Sequence, residues 1–422
     1  MHVLDLRAPG PDHERWRRLC ARSAGLEGHA DAAAREVIAA VRDRGDAAVA
    51  ELTLRFEGRS IERFELDPGE RQAACEAIPA DLRAALQLAA DNIRRFHATQ
   101  LPRDTGLHTD DARLVTRARP LQRVAVYAPG GTAAYPSSVL MTAIPAKVAG
   151  VREVLLFTPR PSAVVLLAAE LAGVDRIFAV GGAQAIAAAA LGTRQIPRVD
   201  KIVGPGNAYV TAAKRQVFGL VDIDGIAGPS EVLVLADHTA DPELVAADLL
   251  AQAEHDVLAC PIAVTSDPAL VPAIERALAV QLETLPRREI AAQALADHGA
   301  LVLVDDRDAM VAAANAYAPE HLELLVHDPR ALVDLLHTAG AIFVGPFTPE
   351  AAGDYTAGPS HVLPTAGAAR FASPLGVWDF IKHTSVLELS AAGLRAQADA
   401  IVRIARAEGL EAHARAALLR LR

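Results

Sequence analysis

Only three cysteines, Cys20, Cys75 and Cys260, occur in 422 residues. They are too few and too scattered for a disulfide framework or for a zinc site built on CxxC spacing, so each reads as a small buried hydrophobe and a reducing cytoplasm fits. Aromatic residues are scarce at 4%, and alanine supplies much of the 51% hydrophobic content, which points to a globular, helix-rich chain. Basic runs are missing too. With a formal net charge of −10 and no basic tail, the chain has no electrostatic grip for nucleic acid or for an anionic membrane surface. No segment supplies the roughly 18 consecutive apolar residues of a spanning helix. The nearest, IFAVGGAQAIAAAALG, is rich in alanine and glycine and carries Gln184. The opening MHVLDLRAPGPDHERWRRLC has no apolar core between its charges and is not a secretory signal. A soluble protein of two or three domains with a small-molecule partner is expected.

What is present falls into two textures. The first hundred or so residues mix alanine and leucine with charges at helical spacing, as in DAAAREVIAAVRDRGDAAVAELTLRFEG and PADLRAALQLAADNIRRFHATQ, and are expected to be mainly helical. From Arg123 short apolar runs alternate with helical stretches, the pattern of βαβ units around a parallel sheet. RVAVYAPGG, EVLLFTP, RIFAVGG, KIVGPG and EVLVLAD read as one series of strands. IAVTSD, GALVLVDD, LELLVHD and GAIFVGP read as a second series, after a helix that opens at Asp241. Two α/β halves follow, without repeated words that would prove a duplication. After Gly345, GPFTPEAAGDYTAGPSHVLPTAG holds too much glycine and proline for an interior element, and a loop of such length in a compact protein is usually functional. The stretch from Ala391 to Arg422 returns to helix, charged on several sides, and lies on the surface or packs against another subunit.

No GxGxxG dinucleotide fingerprint occurs, but APGG, VGGAQA and GPGNAY are glycine turns after strands. Each is either a plain turn or a phosphate cradle at a helix start. Three of them in one sheet suggest a ligand at the strands' carboxyl ends. In DLLAQAEHDVLAC, Gln252 and His255 are three apart and share one side of a helix, as a solvated face or as half of a metal site. Glu254 and Asp256 keep the plainer surface reading. Other histidines also have polar company: His321 follows Glu320, His361 follows Asp354 in the glycine-rich loop, and His413 follows Glu408. Singly these are ordinary surface or core histidines; together they hold the ingredients of an N/O metal site with acid–base groups. Glu408 and His413 are five apart and diverge on a straight helix, so one of them could serve another site or another subunit.

Taken in order, YAPGGTAAYPSSVLMTAIPAKVAGV, VGPGNAYV, AGPSEVLVLAD, LLAQAEHD, APEHLEL, GDYTAGPSHVLPT and EGLEAHARA resemble the histidinol dehydrogenase family over nearly the whole chain from about Asp31. The resemblance implies a zinc- and NAD-dependent enzyme that oxidises L-histidinol to L-histidine through the aldehyde, in the last steps of histidine biosynthesis, consuming two NAD at one site. It implies an α/β fold of two Rossmann-like, incomplete and duplicated domains with a helical N-terminal segment and a C-terminal helical tail, in an intertwined homodimer. The expected boundaries are an arm at 1–24, a first α/β domain from 25–125 plus 231–375, an NAD-binding domain at 126–230, and a tail at 376–422 that serves the partner's site. By motif, one Zn2+ per subunit is expected on Gln252, His255, Asp354 and His413, the last from the partner. Glu320 and His321 match the catalytic pair, the histidine as acid–base and the glutamate as activator of the water that adds to the aldehyde. Ser230, His361 and Glu408 match substrate contacts, together with the metal ligands and His321. Tyr127, Gln184 and Asn207 match NAD contacts.

Departures are small: Gly225 and Ile226 stand where the family commonly has Met-Pro, and Lys382-His383 where it has Lys-Arg. Two rival functions are weighed. A paralogue that oxidises a polyol or a sulfonated diol with the same machinery is disfavoured by Glu408, which suits an amino-alcohol cation and repels a sulfonate. A zinc hydrolase would use a glutamate and metal-bound water without any NAD.

Overall fold

Each apolar run named above forms a strand in the computed structural model, which describes residues 1–22, 28–130 and 135–422. The strands are β1 (His2–Asp5), β2 (Thr105–His108), β3 (Ala112–Pro120), β4 (Arg123–Tyr127), β5 (Glu153–Phe157), β6 (Arg176–Phe178), β7 (Lys201–Val203), β8 (Asp222–Ile223), β9 (Glu231–Ala236), β10 (Cys260–Thr265), β11 (Ala300–Leu303), β12 (His321–Leu325), β13 (Ala341–Val344) and β14 (Ile381–Leu389). They form a parallel six-stranded sheet ordered β1-β11-β10-β9-β12-β13, a parallel five-stranded sheet ordered β6-β5-β4-β7-β8, and an antiparallel sheet β14-β3-β2. Gly131 of the APGG stretch and the expected boundary between residues 24 and 25 lie outside the described residues.

Strand alternation builds two cores per parallel sheet. In β4, Val124 and Val126 face one core while Ala125 and Tyr127 face the other. In β9, Val232 and Val234 face one layer while Leu233 and Leu235 face the opposite one. Both faces are covered, as parallel sheets require. Helix ends follow their chemistry: Gly150 and Gly173 close the helices Pro136–Ala149 and Ala163–Ala172 in the left-handed conformation, and Asp241 caps Pro242–Ala253 by accepting the Glu243 N–H at 2.9 Å.

The helical N-terminal region sits elsewhere than the expected grouping of 25–125 with 231–375. Helices Gly28–Arg44 and Asp46–Glu57 cover one face of the five-stranded sheet, and Pro68–Glu76 and Ala80–Ala98 pack on its other side. The cause is the helix Gly182–Leu191, which is buried alanine on nearly every side from Ala183 to Ala190 and needs an apolar cover beyond the sheet. Val37, Ile38, Val49 and Leu52 supply it. The arm likewise does more than lead in, because β1 pairs with β11 as the edge of the six-stranded sheet, with Leu4 buried.

The segment 376–422 was expected to be a helical tail, yet it begins with β14, paired along its whole length with β3 from Ile381↔Pro120 to Leu389↔Ala112. Lys382, His383, Thr384 and Ser385 are exposed, so no apolar alternation marks this strand in the sequence. The helices Ala391–Ala407 and Glu411–Leu419 that follow form a hairpin packed on itself through Val402, Ala405 and Ala414. Among the described residues no helix is long and apolar enough to cross a membrane.

Gly204, just after β7, has φ +113, donates its N–H to Asp224 Oδ2 at 2.6 Å, and a Cβ there would overlap the Tyr127 carbonyl oxygen. Gly204→Ala is expected to destabilise the fold by roughly 1–3 kcal/mol, combining left-handed strain with overlap against backbone. Urea denaturation measures this; an unchanged midpoint refutes it.

Candidate active site

Several polar side chains converge at the amino ends of the six-stranded sheet. Glu231 opens β9 and His321 opens β12, with Glu320 immediately before it. The helix Pro242–Ala253 returns to the same end, which puts Gln252 in its last turn and His255 in the turn just beyond, where the His255 N–H donates to Gln252 O at 3.2 Å. The two thus meet at a helix terminus and its following turn, whereas one continuous helix was expected. Asp354 lies on a short helix, Glu350–Tyr355, within the glycine-rich stretch, and that helix brings Glu350 along.

The distances describe one cluster. His255 Nε2 is 3.8 Å from Asp354 Oδ2, and His321 Nε2 is 4.0 Å from Asp354 Oδ1. His361 Nδ1 donates to the Asp354 carbonyl at 3.1 Å and stands 3.7 Å from Oδ1. Glu350 Oε1 is 3.7 Å from His321 Nδ1. The hydrogen-bond network assigns the Gln252 amide nitrogen to Glu231 O at 3.2 Å and Glu350 Oε1 at 3.0 Å, which turns its carbonyl oxygen away from those acceptors. His255, Glu350 and Asp354 each offer a ligand atom within 4.8 Å of the others. His321 Nε2 and Glu350 Oε2 are buried without a hydrogen-bond partner among the described residues. A nitrogen and oxygen donor set with orphaned buried atoms suits a divalent cation such as zinc.

Glu231 ties Glu320 and His321 together. Its N–H donates to Glu320 Oε2 at 2.9 Å, and its carbonyl accepts the Nδ1–H of His321 at 2.9 Å. That bond fixes the imidazole tautomer and leaves Nε2 as the lone-pair nitrogen. Burial lowers the His321 pKa to about 4, against the pull of Asp354, so the ring is neutral at neutral pH. Burial raises the Glu320 carboxyl well above its ordinary value, with the Glu231 and Asp354 charges adding to the rise. Glu350 is raised in the same way, by burial first and then by Asp354.

The residues expected to touch NAD lie at the carboxyl ends of the five-stranded sheet. Tyr127 ends β4 and its hydroxyl accepts the Gly182 N–H at 3.0 Å. Gln184 is buried in the first turn of Gly182–Leu191, and its Nε2 has no partner among the described residues. Asn207 caps Ala208–Val217 by accepting from Tyr209 N and Val210 N, both at 3.1 Å. The unpartnered Gln184 amide among helix starts fits a dinucleotide. Ser230 is half-buried beside Glu231. Glu408 and His413 are exposed on the C-terminal hairpin, and no hydrogen bond or ion pair joins either side chain to the cluster among the described residues.

Sequence reasoning missed Glu231 and Glu350. Both left a trace: Glu231 follows Ser230 in AGPSE, and Glu350 precedes Asp354 by four, the spacing of one helix face. It also missed Asp248 and Glu323, whose carboxyls are hydrogen-bonded to each other, both raised by burial, while Glu323 Oε1 accepts the Glu350 N–H at 2.9 Å. This pair fastens the Gln252 helix, β12 and the Asp354 helix.

A family model described as histidinol dehydrogenase matches residues 21–421. The histidinol dehydrogenase of Ralstonia nicotianae is 50% identical over 404 residues, covering 93% of this chain and 91% of that protein. That of Moorella thermoacetica is 52% identical over 414 residues, covering 96% and 97%. The crystal structure of histidinol dehydrogenase from Elizabethkingia anophelis superposes with a TM-score of 0.94 at 36% identity, covering 100% of this chain and 98% of that one.

The Asp248–Glu323 pair makes stability depend on pH. The unfolded chain releases these carboxyl protons near the ordinary carboxylate range, and the folded chain holds one to higher pH, so folding gives up stability as pH rises above that range. Glu323→Gln keeps both hydrogen bonds without needing the proton, and its stability should fall less between pH 5 and pH 8 than that of the parent. Urea midpoints across that window decide; equal slopes refute the shared proton.

Proposed function

Since the chain belongs to the histidinol dehydrogenase family, we propose that it oxidises L-histidinol to L-histidine through L-histidinaldehyde, using one zinc per subunit and two NAD in turn. The observation that carries this reading is the single cluster in which His321, Glu320, Gln252, His255 and Asp354 meet. A dehydrogenase needs a base for the alcohol proton beside a substrate held still, and the cluster offers both.

Gln252, His255 and Asp354 hold the zinc, with His413 of a second copy as the fourth ligand, and Tyr127, Gln184 and Asn207 face NAD. When bound, zinc would supply a Lewis-acid anchor for the substrate and NAD would supply the hydride acceptor. His321 Nε2 takes the hydroxyl proton, while Nδ1 stays locked on the Glu231 carbonyl. Glu320, whose raised pKa makes it a strong base when ionised, draws the proton from the water that adds to the aldehyde. Ser230, His361 and Glu408 orient the substrate, Glu408 by accepting an N–H from its nitrogen groups. The shared strand order 3-2-1-4-5 of the two parallel sheets, with β1 set aside, supports an origin by duplication of a Rossmann-like half. Exposed Val386, Leu387 and Leu389 on β14 and Ile404 and Leu418 on the C-terminal hairpin support a homodimer that covers them.

Purified protein with histidinol should yield two NADH per substrate. His321→Asn should keep its zinc while turnover falls about 100-fold or more, the ordinary weight of a positioned acid–base group. Turnover without NAD, or an undiminished rate in the variant, refutes the assignment. Mixing His255→Ala with His413→Ala, each inactive alone, should restore part of the activity, because a mixed dimer holds one intact site. No recovery after subunit exchange would mean that the tail serves its own chain.

A further inference from the structure

Glu231 is 1% exposed, and its carboxylate is held as tightly as its main chain is used. Arg22 grips it in a fork, Nε to Oε1 at 2.6 Å and Nη2 to Oε2. Oε1 also accepts the Ala366 N–H at 3.0 Å, and Oε2 accepts the Glu320 N–H at 3.4 Å. Arg22 comes from the N-terminal arm, just past the helix Pro11–Cys20. Its guanidinium lies 3.4 Å over the Tyr317 ring, which itself stacks on Trp16, and it donates to the carbonyls of Tyr317 at 2.7 Å and Ala318 at 3.3 Å. Ala318 has φ +55, a left-handed turn that delivers the chain into Glu320 and His321.

We propose that Arg22 and Glu231 are a positioning pair for Glu320 and His321. Neither touches the substrate. The Glu231 peptide units supply the N–H that holds Glu320 and the carbonyl that fixes the His321 tautomer, so any shift of that backbone displaces both groups together. The Arg22 fork prevents the shift from two sides, through the Glu231 carboxylate and through the turn at Tyr317 and Ala318. It also supplies the positive charge that lets a buried carboxylate stand beside Glu320. Lysine would keep the charge but lose the planar fork and the stacking. The N-terminal arm thereby reaches the chemistry through one side chain.

This inference rests on the roles proposed for Glu320 and His321. Arg22→Met, Arg22→Lys and Glu231→Gln would be compared with the parent as zinc-loaded enzymes for kcat, for KM of histidinol, for zinc content, and for the His321 tautomer by NMR of 15N-histidine-labelled protein, with His321→Asn identifying the signal. Arg22→Met is expected to lose about 100-fold in kcat, the cost of misplacing a reacting group by about an ångström, with KM within a few-fold, zinc retained, and the Nδ1–H tautomer no longer uniform. Arg22→Lys should recover part of the loss. Glu231→Gln, nearly the same in shape, should show the same pattern more mildly and stands in if Arg22→Met does not fold. A folded Arg22→Met or Glu231→Gln with parental kcat and tautomer overturns the proposal, as does a loss that merely tracks lost zinc. Should the parent fail to oxidise histidinol, the functional reading falls, and the tautomer spectra still decide for or against the pair.

Discussion

Burial of acid governs this site. Glu231, Glu320, Glu323 and Glu350 are almost fully enclosed at one end of a parallel sheet, with Asp248 and Asp354 beside them. So many carboxylates cannot all ionise away from water, since each charge costs hydration and repels the others. The structure meets that constraint in three different ways. Arg22 pairs with Glu231, burial pushes the hydrogen-bonded Asp248 and Glu323 carboxyls toward their protonated forms, and backbone N–H groups face Glu320 and Glu323. Glu350 and Asp354 are left beside His255, where a divalent cation would complete the compensation.

The same constraint explains why residues of the proposed site are placed on rigid elements. His321 is the first residue of a central strand, hydrogen-bonded in register to both neighbours, and Gln252 is in the last turn of a buried helix. Packing sets these positions to within the tolerance that proton transfer needs. The exceptions are His255, exposed in a turn, and Glu408 and His413, exposed on the hairpin. They are the residues for which a substrate or a second copy has room to approach.

Much of the fold was legible in the sequence because buried parallel strands are short apolar runs and their helices carry proline, aspartate and glycine at the ends. The runs from RVAVY to AIFV are all strands. β14 was not legible, since it is exposed, polar from Lys382 to Ser385, and defined by its partner β3, which lies more than two hundred residues earlier in the chain. β1 is a mere four residues with one buried side chain. The placement of the site was also hidden. Strand carboxyl ends are the usual ligand side of such sheets, and Tyr127, Gly182 and Gly204, on the proposed cofactor side, lie there in the five-stranded sheet. The polar cluster lies instead at the amino ends of the six-stranded sheet, a placement made by the chain path between the two sheets and carried by no local pattern. Gln252, His255 and Asp354 were recognisable from their motifs, but Glu231 and Arg22 act through backbone groups and through separation in sequence that only the fold closes.

Opposite ends of the two sheets therefore meet. Ser360, in the loop after the Asp354 helix, donates its hydroxyl to the Met141 carbonyl at 3.4 Å, in the helix that follows β4, so the two ends are neighbours. Helices that follow strand carboxyl ends point their N–H groups outward, whereas Pro242–Ala253 arrives at the amino end with its carbonyls foremost. Helix dipoles then have opposite sign on the two walls. One wall favours anions and the other cations, which gives the space between them a built-in polarity. Groups of opposite charge entering that space would be drawn to opposite walls by the field alone.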